Sequence, residues 1–201
     1  MTDHAAILGL LAAAVGVADT IPYVRDTLRG ATRPHRGTWL IWGVLAVVVC
    51  LSQYADGASW SLVMAAVQAV LTCGIFVLSI RWGVGGLSRT DRLLIAIAGG
   101  GVVAWLLAGE PLVATGCVIV ADVLAAALMV PKTYREPESE TLVTFALASV
   151  GGGLAAGAVG ALDASLLLYP VYYCLVNGAL ALLILVARAR DVTAPTSALV
   201  R

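Results

Sequence analysis

Residues 21–42 read IPYVRDTLRGATRPHRGTWLIW. The stretch leaves an apolar run at Pro22, crosses a basic segment carrying Arg25, Arg29, Arg33 and Arg36, and re-enters apolar sequence at Trp39 and Trp42. A weaker version follows at residues 130–145, VPKTYREPESETLVTF. Two such corners in one apolar chain point to an internal repeat, in which a proline closes the first helix of each half.

The sequence around these corners is strongly apolar. Of its 201 residues 61% are hydrophobic and 12% charged, and the mean hydropathy is +0.97. Soluble domains run at about 45–50% apolar and about 25% charged. A water-soluble core cannot hide this much apolar surface, so the composition points to a polytopic, all-α membrane protein. The net charge of zero identifies no partner, because the charges are segregated along the chain. Eleven of the twelve basic residues are arginines, as in bacterial chains of GC-rich origin.

Seven apolar runs can be read, at about residues 5–24, 37–54, 60–80, 92–109, 111–131, 141–160 and 165–187. Each has the roughly 20 residues needed to cross a hydrocarbon core of about 30 Å. The first is read as a retained span rather than a signal peptide, because MTDH before it carries an acid and no Lys or Arg. The sixth is glycine-rich, and Gly153-x-x-x-Gly157 permits close helix approach.

Seven spans place the connecting segments on alternate sides. Segments 25–36, 81–92 and 132–140 and the tail from Arg188 onward then share one side and hold all twelve basic residues. By the positive-inside rule that side is cytoplasmic, which puts the N-terminus outside and the C-terminus inside a bacterial inner membrane. Trp60 and Trp105 are then expected at the outer interface, and Trp39 and Trp82 at the inner one. The residues after 188 are expected to form a disordered tail. Cys50, Cys73, Cys117 and Cys174 lie within apolar runs and read as small buried hydrophobes. His4 and His35 lie outside the runs and read as solvated.

Pro22 and Pro131 stand 109 residues apart, as do Gln68 and Asn177, and Arg81 and Arg190. This spacing predicts two parallel three-helix bundles, residues 1–84 and 110–188, joined by a linker helix within 85–109. A buried amide needs partners. Gln68 and Asn177 therefore read either as donors and acceptors for a polar solute between the bundles or as interhelical hydrogen bonds. Pro22 and Pro131 read as gating positions or as plain helix terminators. Asp122, in mid-run, has no basic residue at its depth and reads as a proton-coupling or solute-contacting group, or as a protonated structural acid. Asp19 is a second such candidate, placed to reach Arg25 or water.

The 3+1+3 pattern, the outside N-terminus and the corners Pro22-Tyr23 and Pro131-Lys132 together resemble the SWEET and PQ-loop superfamily. The resemblance implies alternating-access transport of a small polar solute such as a sugar. It places Asn177, Gln68 in substitution for asparagine, and Trp42 in the substrate pocket; Asp122 and Tyr173 are read as further substrate-binding candidates. It leaves open a PQ-loop proton-coupled amino-acid transporter, a Pnu-type vitamin transporter, and a ligand-binding receptor on the same fold. No enzyme chemistry, cofactor, metal or nucleic acid is implied, and the lipid bilayer and the solute are the expected partners, with a homo-oligomer left open. A retinal photoreceptor is excluded by the lack of a lysine in the seventh run.

Overall fold

The computed structural model describes residues 3–193 except 56–59, 87, 109–110, 160–161 and 163. These residues form seven α-helices and one short 3-10 turn. They are α1 (Asp3–Leu28), α2 (Arg36–Ala55), α3 (Trp60–Trp82), α4 (Arg89–Ala108), α5 (Pro111–Arg135), α6 (Leu142–Ala158) and α7 (Ala164–Thr193), with the 3-10 turn at Pro137–Ser139. Three of these segments, Ala6–Leu28, Gly116–Arg135 and Leu167–Arg190, are long and apolar enough to cross a membrane, and shorter apolar segments lie in α2, α3 and α6.

The prolines do not close their helices. α1 continues past Pro22 to Leu28, and α5 continues past Pro131 to Arg135. A proline removes one intrahelical donor but keeps a helical φ, so the chain can run on through it. The stop at the first corner is made by Gly30 instead. Its φ of +76° allows a left-handed cap in which Gly30 N–H donates to Thr27 O (3.0 Å) and Ala31 N–H to Asp26 O (2.9 Å). This is the paired-bond cap that glycine favours at helix C-termini. At the other end of the chain α7 runs to Thr193, so residues 189–193, expected in the tail, are helical; 194–201 lie outside the described residues.

The helices enclose an apolar core that also holds polar side chains, and they carry an apolar surface. Thr27, Thr38, Ser79, Thr133, Glu140 and Asn177 are buried, while Leu10, Val70, Leu107 and Leu175 stand on the surface. Large contiguous apolar surface is foreign to a water-facing monomer and suits hydrocarbon. α1 packs against α6 and α3, α5 against α2 and α7, α2 against α3, and α6 against α7, with α4 beside α5 and α2. Exchanging α1 with α5, α2 with α6 and α3 with α7 leaves this set of neighbours unchanged, α4 aside.

The exchange is visible in single hydrogen bonds. Thr38 Oγ1 donates to Ala125 O at 2.6 Å, and Thr144 Oγ1 donates to Asp19 O at 2.7 Å. Thr38 and Thr144 stand 106 residues apart, as do Ala125 and Asp19. The fully buried Thr27 and Thr133 have the same separation. Across α1/α5 and α2/α6 the contacts thus run at 106, three residues short of the spacing of the two prolines. Pro131 therefore stands level with Arg25, not with Pro22.

Candidate functional site

A cavity of about 570 Å³ lies among α1, α2, α3, α5, α6 and α7. Its wall runs along α1 from Gly9 to Thr20, along α2 from Trp39 to Ala46 and along α7 from Tyr169 to Asn177, so it lies in the middle of the bundle. The small residues Gly9, Ala12 and Gly16 of α1 and Gly151, Gly152 and Ala155 of α6 leave this volume unfilled. Every lysine and arginine among the described residues sits at one end, on the corners and helix termini.

The cavity gathers all five expected substrate residues, Gln68, Asn177, Trp42, Asp122 and Tyr173, together with Asp19. Gln68 Nε2 donates to Thr72 Oγ1 at 3.2 Å, and Asn177 Nδ2 donates to Tyr173 O at 2.9 Å. Each amide spends one N–H within its own helix and keeps its carbonyl oxygen for another partner. Asp122 Oδ2 accepts from Tyr172 Oη at 2.5 Å. The Trp42 indole lies beside the same carboxylate, but its buried Nε1–H makes no hydrogen bond. Asp19 does not reach Arg25. The six-residue step between them turns the helix by about 240° beyond a full turn, so Asp19 lies 6% exposed in the cavity wall, accepting from Thr20 Oγ1 at 3.0 Å. Arg25 pairs with Asp26 at the surface. Neither Pro22 nor Pro131 lines this cavity; Pro131 borders a separate recess of about 470 Å³ at the basic end, beside His35 and Lys132.

The floor of the cavity is a polar and aromatic layer. Trp39 Nε1 donates to Tyr23 Oη at 3.0 Å, and Tyr23 Oη donates to Glu140 Oε2 at 3.1 Å. Lys132 Nζ meets Glu140 Oε1 at 2.5 Å and also donates to the carbonyls of Ser139 and Arg33. The Phe145 ring stands edge-on to Tyr23 at 6.2 Å. Burial pushes the Glu140 carboxyl above its ordinary value, and the Lys132 ammonium draws it back only partway. Beyond this layer Thr32 and Thr141 share a 2.5 Å hydrogen bond, Thr141 Oγ1 donates to Asp26 at 3.2 Å, and Arg33 pairs with Glu136. The layer closes the cavity toward the basic end.

Two sequence expectations change here. Trp39 is 6% exposed and belongs to the core rather than an interfacial belt, because its N–H has a buried partner in Tyr23. His35, expected in solvent, is 5% exposed, with Thr38 Oγ1 at 3.2 Å from Nδ1. The side chains of Trp60 and Trp105 lie outside the described residues. The sequence reading missed Tyr172, the partner of Asp122, although the cluster Tyr169, Tyr172 and Tyr173 marked α7. It also passed over Lys132 and Glu140 as loop charges. Comparison of the chain with protein-family models, curated proteins and solved structures finds no match.

Proposed function

We propose that the chain is a seven-span transporter of the bacterial inner membrane, built as two parallel three-helix bundles with α4 as linker. It moves a small polar solute by alternating access, with the N-terminus outside and the basic end in the cytoplasm. One observation carries the reading: a cavity holding two carboxylates and two amides in a mainly apolar wall, inside an apolar-surfaced bundle, with a buried hydrogen-bonded layer at one end. A solute site barred at one end is what one half of a transport cycle requires. The exchange-symmetric helix contacts support the repeat, since parallel-repeat transporters hold substrate between their halves near the midplane. The SWEET-like resemblance agrees with this arrangement.

In this reading Asn177, Gln68, Trp42, Asp122 and Tyr173 contact the solute. The layer of Tyr23, Trp39, Lys132 and Glu140 is the cytoplasmic barrier. Pro22 and Pro131, inside their helices near that barrier, each leave a missing backbone bond about which α1 and α5 can bend. The test is flux of a labelled panel (choline, putrescine, glucose, glycine) into liposomes holding the purified chain. Saturable flux of at least one solute, lost in Asn177→Leu at unchanged melting temperature, is expected. Saturable binding without flux for every solute would replace the transporter with a receptor.

A further inference from the structure

The cavity has a one-sided chemistry. Two carboxylates, Asp19 and Asp122, line it, and no Lys, Arg or His does among the described residues. The nearest cation, Lys132, lies in the floor and is already bound to Glu140. Each cavity carboxylate is met by one hydroxyl only, from Thr20 or Tyr172, among the described hydrogen bonds. Hydroxyls stabilise an ionised carboxylate in hydrocarbon far less than a cation does, and such groups face cavities or partners for that reason. The two amides add further acceptors, since their carbonyl oxygens accept no hydrogen bond among the described residues.

Aromatic rings stand in the same wall, among small and aliphatic residues. Trp39 and Trp42 stand edge to face at 5.1 Å on one side, and Tyr169 and Tyr173 stack at 6.1 Å on the other. Tyr173 lies within electrostatic reach of both Asp19 and Asp122, and all three line the cavity. Aromatic faces beside carboxylates attract a cation twice, through the ring quadrupole and through charge. A carboxylate or phosphate on the ligand would meet two like charges and no cation to receive it. A neutral sugar would leave both acids without a counter-charge.

We propose that this cavity selects a small organic cation, a protonated amine or quaternary ammonium that carries no carboxylate. Asp122 and Asp19 are its counter-ions, and the Trp42 and Tyr173 rings are its walls. The volume fits such a ligand, since small-molecule pockets span about 300–1,000 Å³. The inference rests on the cavity being the solute site of the proposed transporter, and it deepens that reading by naming the solute class.

The experiment is calorimetric titration of the purified full chain in detergent with choline, putrescine, glucose and glycine, repeated for Asp122→Asn, Asp19→Asn and Asp122→Glu. Choline or putrescine is expected to bind saturably. Asp122→Asn, which keeps the side chain's shape and a partner for Tyr172, is expected to weaken that binding at least tenfold, as loss of a buried counter-ion does. Asp122→Glu is expected to retain it. Melting temperature reports that each variant is folded; a misfolded Asp122→Asn hands the decision to Asp19→Asn. Cation binding that survives both asparagine variants overturns the proposal, as does binding of glucose or glycine with none of either cation. The companion flux assay separates the two levels. Cation binding without flux keeps this inference and removes the transporter. Glucose flux indifferent to both cations keeps the transporter and removes this inference.

Discussion

Replacing Lys132 with methionine tests the floor of the cavity. The Glu140 side chain is fully buried and that of Lys132 is 11% exposed, with 2.5 Å between the charged atoms. Removing one partner of a buried ion pair leaves an uncompensated charge and costs about 3–5 kcal/mol. For a chain of this size that is a fall in melting temperature of roughly 6–20 °C. Glu140 also sets the pH dependence. Burial holds its folded-state pKa above the ordinary value of 4.5, with Lys132 opposing that shift. A raised carboxyl pKa stabilises the fold below the unfolded value, and this contribution is lost as pH rises through the folded value. Without Lys132 the folded value rises further, so K132M falls furthest behind wild type at neutral pH and recovers toward pH 4. The double variant K132M/E140Q removes both charges and keeps an acceptor for Tyr23 Oη, and it is expected to regain most of the loss. Thermal unfolding in detergent, followed by circular dichroism between pH 4 and 8, is the assay. A K132M deficit that is absent at neutral pH, or unchanged across the range, refutes the buried-pair account, as does a double variant no better than the single.

Thr38→Val and Thr144→Val each remove one buried interhelical hydrogen bond, so each should cost about 1 kcal/mol; because they lie on different helix pairs, the costs should add in thermal unfolding. Gly152→Ala should be destabilised by about 1–3 kcal/mol, since an added Cβ would stand 2.6 Å from the Cys174 backbone nitrogen, while Gly16→Ala, with open space around it, should match or exceed wild type. In a cysteine-free background, Leu162→Cys, fully exposed, should react with an impermeant thiol reagent in intact cells, and Glu138→Cys, with 78% of its side chain exposed, only after permeabilisation; the reverse pattern would overturn the proposed orientation.

How much of this was legible in the sequence depends on range. The apolar runs located the helices because hydrophobic length is a local signal, and the positions of Gln68, Asn177, Trp42, Asp122 and Tyr173 converge on one cavity. The proline rule misled because a proline breaks one bond without ending a helix. The cap that does end α1 is written in Gly30 and its 3.0 Å bond to Thr27, a glycine within an arginine-rich loop that reads as connecting sequence. The repeat spacing was drawn from side-chain identity, but Thr38 and Thr144 are equivalent by the bonds they make, and only backbone proximity reveals those. The Glu140–Lys132 pair was invisible for the same reason: its eight-residue separation looks like two charges in one loop until Tyr23, 117 residues from Glu140, covers them.

The composition of that floor bears on how such a barrier can open. A barrier of packed leucines and phenylalanines would gain about 25 cal/mol for each Å² of apolar area hidden, and opening it to water would forfeit the whole gain. An ion pair behaves differently. The Coulomb attraction of Lys132 and Glu140 is set against the loss of hydration both groups suffered on burial, and the two terms are of similar size. Opening the layer returns both charges to water, so the closed and open arrangements differ by less than the strength of either term alone. A carrier needs that near-balance, because two conformations exchange usefully only when they lie within a few kcal/mol of each other. Tyr23 and Trp39 make the closed arrangement specific by fixing Glu140 Oε2 in one place, while the charges keep it from being permanent. On the proposed reading, the buried pair that looks like a costly defect in the core is what lets the cavity's floor become its mouth.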